Sequence, residues 1–268
     1  MTDAPVFPDF FRVLAFDDID STNAEARRRA EAGDRGPLAI WARRQSAGRG
    51  RRGRHWMSPE GNLHASFLIS PDRSPECLRP PIRAESAMQI GFVASLAIAD
   101  AMRHALPRSA FVTCKWPNDV LIEGRKAAGI LVESALNTNG DLDWMIIGMG
   151  VNVAHCPGPE DVDYPVTSMA REGGHGLDSE TILKSVAQRF LTHMATWRTL
   201  GFGPVRRAWL AHGAGLGKPI RVRLGVETLE GIFETLDEDG ALVLNMAGGR
   251  RRIVAGEVFP ADRPVEIS

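Results

Sequence analysis

Three glycines in five positions, Gly213, Gly215 and Gly217, interrupt the chain at His212-Gly-Ala-Gly-Leu-Gly217, and the hydrophobic period differs on the two sides. After the break, 219–224, 228–234, 242–245 and 251–254 are short segments that alternate with period two. Asp237-Glu-Asp-Gly240 and Gly248-Gly249 supply the turns. That is a small all-β barrel, of a size that needs support from a neighbouring unit. Before the break, strand-like and helical segments are mixed. Strands are expected at 11–16, 38–42, 62–69, 111–114, 120–122, 128–134 and 144–153. Helices are expected at 24–32, 85–106, 179–200 and 205–210. Glu123-Gly124 and Asn139-Gly140-Asp141 mark hairpins, and 71–81, with four prolines, reads as a loop. The expected organisation is an α+β domain over 1–216 and a small β domain over 217–268.

Composition narrows the function. Lys and Arg total 32 against 33 Asp and Glu, a net charge of -1. A globally basic nucleic-acid coat and an acidic disordered tail are excluded, so any electrostatic function comes from local clustering. Cys77, Cys114 and Cys156 are few and far apart, which argues against a disulfide framework or a zinc site. The N-terminus lacks the pattern of a secretory signal, and the longest apolar run, 87–99, is too short for a membrane span. A soluble cytoplasmic protein is expected.

Four segments could carry chemistry. Arg43-Arg-Gln-Ser-Ala-Gly-Arg-Gly-Arg-Arg-Gly-Arg54 holds six arginines, with no acidic residue between Arg35 and Pro59. Guanidinium groups chelate phosphate and carboxylate, and interleaved glycines let the backbone approach an anion. Gly48-Arg-Gly-Arg-Arg-Gly53 spells G-x-G-x-x-G, but Pro59 and Gly61 follow where the dinucleotide fingerprint needs a helix. A solvated basic loop and a nucleic-acid arm remain alternatives. Lys115-Trp-Pro-Asn-Asp119 sets a lysine, an amide and a carboxylate in a tight Pro turn, followed by Lys126 and by Gly129, which leaves room beside the backbone. An ordinary hairpin with a surface ion pair is the alternative. Asp20-Ser-Thr-Asn23 suits helix capping or a neutral polar ligand. Ile147-Gly-Met-Gly-Val-Asn152 alternates small residues along a strand, as a flat ligand or tight strand packing would require.

Taken in order, DSTN (20–23), QSAGRGRRGRHW (45–56) with SPEGNL (58–63), KWPNDV (115–120) with RKAAGILVE (125–133), and IGMGVN (147–152) resemble the biotin protein ligase family. The resemblance runs over nearly the whole chain and includes GKPIRV, GIFETLDEDGALVL and GEV after the glycine break. It implies a class II synthetase-like catalytic domain, a mixed sheet flanked by helices, followed by an SH3-like barrel. Ser21, Thr22, Asn23 and Gln45 would bind the polar ureido end of biotin. Arg49, Gly50 and Arg51 would form the loop that closes over biotin and its adenylate, with Gly129 also on the biotin side. Lys126 would contact the biotin carboxylate and the phosphate. Arg52, Arg54, Trp56, Asn118 and Asn152 would serve the nucleotide. Asp119 would orient or deprotonate the acceptor lysine.

ATP and biotin are the implied substrates, with Mg²⁺ on the triphosphate and no protein metal ligands. The implied partner is the biotin carboxyl carrier protein of acetyl-CoA carboxylase, and the resemblance allows a homodimer. No DNA partner is expected, because nineteen residues precede Asp20, too few for the helix-turn-helix of some family members. One departure from the pattern is His64, where an aromatic is common. The rival readings are a lipoate-protein ligase, which shares the architecture and the adenylation chemistry, and a nucleic-acid-binding module built on the arginine loop.

Overall fold

The computed structural model describes residues 7–70, 86–162, 164–225 and 227–261. The segment read as a proline loop, 71–81, and Cys77 within it lie outside the described residues, as do Glu85 and the last seven positions. The elements are β1 (Arg12–Ile19), α1 (Thr22–Glu31), β2 (Leu38–Gln45), β3 (Leu63–Ile69), α2 (Ala87–Ala105), β4 (Val112–Lys115), β5 (Asp119–Ile122), β6 (Arg125–Leu136), β7 (Leu142–Val151), α3 (Ser179–Leu200) and α4 (Phe202–Leu210). After the glycine break come β8 (Pro219–Leu224), β9 (Glu227–Leu236), β10 (Leu242–Met246), β11 (Gly249–Ile253) and β12 (Glu257–Pro260).

The first seven strands form one mixed sheet, ordered β1-β2-β3-β7-β6-β5-β4. Only β1 and β2 run parallel, joined across α1 as a parallel pair requires. The α+β expectation therefore holds, with a helix on one face and a helical layer on the other. The two faces are set by the pleat. On β7, Met145, Ile147, Met149 and Val151 join the large core beneath α2 and α3. The alternate residues Trp144 and Ile146 pack with Ala26 and Ala30 of α1 and with Leu38, Ile40 and Leu68. Further along that same face the alternate residues become Gly148 and Gly150. The face is thus apolar under α1 and stripped to backbone beyond it, which leaves a floor for the site.

The second unit is a five-stranded antiparallel sheet, ordered β11-β10-β9-β8-β12. It docks through an aromatic run: the Phe92 ring meets Phe202 and Trp209 edge-on, and Trp209 meets Phe233. Trp116 Nε1 donates to the Gly240 carbonyl at 3.1 Å. A Cβ on Gly240 would come within 2.7 Å of the Phe92 ring, and its φ of +94° also suits only glycine. Met88, in the first turn of α2, is 48% exposed. Among the described residues no helix is long and apolar enough to cross a membrane.

Candidate functional site

A cleft opens over the glycine floor. Ser21, Thr22, Asn23, Gln45, Arg49, Gly50, Arg51, Arg54, Trp56, Asn118, Asp119, Lys126 and Gly129 all line it. Four segments far apart in sequence therefore meet at one place. Arg52 lines neither this cleft nor the cavity that adjoins it, and its backbone sits at φ +57° within a short turn of 3₁₀ helix at 51–53. Asn152 lines an adjoining cavity, where its Nδ2 donates to the Thr167 carbonyl at 3.0 Å. Trp56, Lys126 and Tyr164 line both cavities.

The polar end of the cleft is a connected chain of hydrogen bonds. Ser21 occupies the N-cap position of α1, but its side chain does not cap the helix. The capping reading of Asp20-Ser-Thr-Asn23 gives way because the side chains of Thr22 and Asn23 turn to the sheet instead. Thr22 donates its backbone N–H and its hydroxyl to Gln45 Oε1, at 2.8 and 3.1 Å. Gln45 Nε2 donates to Ser58 Oγ at 2.9 Å. Ser66 Oγ lies 2.6 Å from Asn23 Oδ1 and 2.8 Å from Thr22 Oγ1. Gly148 is required here, since a Cβ on it would sit 2.1 Å from Asn23 Oδ1.

The other end is cationic. Lys126 Nζ lies 2.8 Å from Asp119 Oδ1, both side chains being largely buried. The ammonium also faces the Trp56 ring at 5.5 Å and the Tyr164 ring at 5.1 Å. Arg51 Nη1 donates to Asn118 Oδ1 at 2.9 Å, and Asn118 Nδ2 donates to the Ile130 carbonyl at 2.8 Å. Burial, with Arg52 adjacent, lowers the pKa of Arg51. The Trp56 indole lies on Gly150, where a Cβ would come within 2.3 Å of the ring. The flat group on the glycine floor is thus this side chain, and its buried Nε1 has no hydrogen-bond partner among the described residues.

Sequence reasoning missed several lining residues. Lys115 stood in a quoted motif without a role. Its Nζ sits 5.5 Å from the centre of the Phe259 ring, and burial, assisted by Lys126, lowers its pKa. Phe259 and Glu257 come from β12, and Arg54 pairs with Glu257. Ser66 carried one signal: it lies opposite Gly148 in the β3–β7 ladder, on the floor side of the pleat. His64 is buried, and its Nε2 lies 3.1 Å from the Pro59 carbonyl. Cys114 is packed in the core, where burial pushes its thiol up to about 12.

Four of the six arginines of the 43–54 segment face carboxylates from other parts of the chain. Arg43 faces Asp17 and Glu60, Arg44 faces Asp18 and Glu60, Arg49 faces Glu133, and Arg54 faces Glu257. Charges consumed this way are not free to displace counterions from a nucleic-acid backbone, which counts against the nucleic-acid arm.

Residues 15–152 match the Biotin/lipoate A/B protein ligase family, just over half of the chain. The chain belongs to that family. Residues 215–259 match the biotin protein ligase C terminal domain. The chain is 44% identical over 243 residues to a biotin–[acetyl-CoA-carboxylase] ligase of Paracoccus denitrificans, covering 90% of this chain and 97% of that protein. A biotin–[acetyl-CoA-carboxylase] ligase of Mycobacterium tuberculosis is 31% identical over 242 residues, covering 89% and 85%. Among solved structures, a biotin protein ligase from Aquifex aeolicus in complex with biotin and ATP superposes with a TM-score of 0.74 at 27% identity, covering 92% of this chain and 97% of that one.

Proposed function

We propose that this chain is an ATP-dependent biotin protein ligase. It activates biotin to biotinyl-5′-AMP and transfers the biotinyl group to a lysine of the biotin carboxyl carrier protein. One observation carries the reading. A hydrogen-bonding end built from Thr22, Asn23 and Gln45 and a cationic end built from Lys126 and Arg51 lie along one glycine floor. That spacing suits a ligand with a neutral polar head and a carboxylate tail. The biotin ligase relatives and the matching C-terminal domain favour biotin over lipoate.

In the first step the biotin carboxylate oxygen attacks the α-phosphorus of ATP. The new P–O bond forms as the bridging bond to the β-phosphate breaks, and pyrophosphate leaves. Two anions must approach, so fixed cations are required where charge develops. Lys126 fits this task, held in place by Asp119 and walled by two aromatic rings. Among the described residues no group of three or more His, Cys, Asp and Glu side chains is placed to hold a metal. Mg²⁺ would enter bound to ATP and neutralise the triphosphate. In the second step the neutral acceptor amine attacks the acyl carbon, the C–O bond to AMP breaks, and the proton the amine loses passes to Asp119 or to solvent. Asp119, held beside Lys126, is the carboxylate that would orient or deprotonate the amine. The Arg49-Gly50-Arg51 segment shields the anhydride from water between the steps.

The assignment divides the chain into a catalytic domain over 1–216 and a C-terminal domain over 217–268, acting in the cytoplasm. Mass spectrometry of a carrier-domain fragment incubated with biotin, Mg-ATP and this protein tests the reading. A gain of one biotinyl group on a single lysine is expected. Modification by lipoate alone would transfer the assignment to the lipoate branch.

A further inference from the structure

Glu133 has no role in the reading above, yet it sits where three functional segments converge. It lies on the floor side of β6, opposite Ile146 of β7. Its Oε2 accepts from Asn23 Nδ2 at 2.7 Å, and its Oε1 accepts from Arg27 Nη2 at 2.6 Å. Arg49 Nη2 lies 3.6 Å from Oε2. Asn23 and Arg27 stand one turn apart on α1, so a single carboxylate reaches both. The side chain is 17% exposed, against 44% for Arg49.

The chemistry of this cluster is directional. An ionised carboxylate only accepts, so the Asn23 amide must turn its NH₂ toward Glu133. Oδ1 then faces the Ser66 hydroxyl, which donates to it at 2.6 Å. The charge of Glu133 therefore decides which end of Asn23 is presented to the cleft. The same oxygen that orients Asn23 also draws in Arg49, the first arginine of the Gly-Arg loop. We infer that Glu133 is a positioning residue that couples recognition of biotin's polar head at Asn23 to docking of the arginine loop through Arg49. This rests on the biotin ligase reading. A glutamine at 133 keeps the shape, but it can present either an acceptor or a donor to Asn23 and has no charge for Arg49.

Calorimetric binding of biotinamide tests the coupling, because this neutral probe keeps the polar head and removes the carboxylate that Lys126 would attract. Glu133→Gln should weaken binding about tenfold, the cost of losing charge-assisted hydrogen bonds. Arg49→Met should weaken it less. The double variant should bind no worse than twofold below Glu133→Gln, since the second change removes a partner already lost. In biotin-dependent pyrophosphate release, Glu133→Gln should raise KM for biotin with a smaller change in kcat, a split that general loosening of the fold would not produce. Multiplicative losses in the double variant, or undiminished biotinamide binding by Glu133→Gln, would overturn the coupling. If Glu133→Gln does not fold, Arg49→Met decides alone. Wild-type biotinamide affinity should fall as salt rises from 50 to 500 mM, and Arg49→Met should flatten that dependence; equal salt dependence overturns the inference. A wild type that binds neither biotin nor biotinamide fails the ligase reading, and the coupling with it.

Discussion

The two ends of the cleft solve opposite problems with different chemistry. At the Thr22–Gln45 end nearly every polar atom already has a protein partner, in a chain running from Ser66 through Thr22 and Gln45 to Ser58. At the Lys126 end cations outnumber their partners: Lys126 and Lys115 both rest against aromatic rings, and one carboxylate, Asp119, pairs with Lys126. The first end is preorganised for a neutral group whose hydrogen bonds must match in direction. The second holds unspent positive charge for anions that arrive with the substrates. Selectivity therefore belongs to the first end and rate to the second.

The sharpest break in that comparison is expected at Lys126. Lys126→Ala should lower biotin-dependent pyrophosphate release about a hundredfold or more, since a fixed cation at developing charge contributes several kcal/mol. Near-normal release by a folded variant would remove the cationic end from the mechanism. Next in size is Arg51→Gly. Losing the bond to Asn118 frees the loop, at a cost of about 1.5–3 kcal/mol for a hydrogen bond to a charged group. Biotinyl-5′-AMP should then escape and label added albumin about tenfold more than wild type does. A variant that adenylates biotin yet retains the intermediate as well as wild type removes Arg51 from the shield.

Thr22→Val probes the opposite end. It keeps the shape but takes away the hydroxyl between Ser66 and Gln45, so that Gln45 Oε1 keeps only the Thr22 backbone N–H, a loss of about 0.5–1.5 kcal/mol for one hydrogen bond. KM for biotin should rise about five- to tenfold, with KM for ATP changing less. Equal increases in both constants would dissolve the distinction between the ends.

Much of this site is legible in the sequence, for a reason the fold makes plain. The motifs are local runs that each place several side chains on one face of a strand or turn, as Trp144, Ile146, Gly148 and Gly150 do on β7. What spacing does not reveal is which residues return from a distance. β12 escapes a sequence reading because Glu257-Val-Phe-Pro260 is four residues long, follows Gly256 and ends in proline. Its Phe259 nevertheless closes the cleft over Lys115. Glu133 escapes for another reason: a carboxylate at the end of a strand motif reads as solvated until α1 is laid across the sheet. Arg52 shows the converse. It sits among functional arginines in sequence, and a left-handed backbone turns it out of the cleft.

The smallest expected effect concerns what unpartnered charge costs the fold. Lys115 lies in the cleft with Phe259 over it, and burial holds its pKa below the ordinary lysine value of 10.5, with Lys126 adding repulsion and Asp119 and Glu257 opposing it. Below the folded-state pKa both folded and unfolded chains carry the proton, so the folded chain bears the full penalty of burying that charge. Between the folded-state pKa and 10.5 the unfolded chain holds the proton that the folded chain has released, so this residue makes stability rise with pH across that window. Lys115→Met keeps the length and removes the charge. If the penalty is about 1 kcal/mol, the variant should melt about 2–4 °C above wild type at pH 7. The gap should narrow as pH rises through the folded-state pKa of Lys115 toward the ordinary lysine value of 10.5. The same variant should use ATP less well, because the cation that destabilises the empty cleft is then missing when the triphosphate arrives. A lower melting temperature at pH 7 would show that Lys115 is already compensated by the ring and the two carboxylates, and that the cationic end holds no charge in reserve at this position.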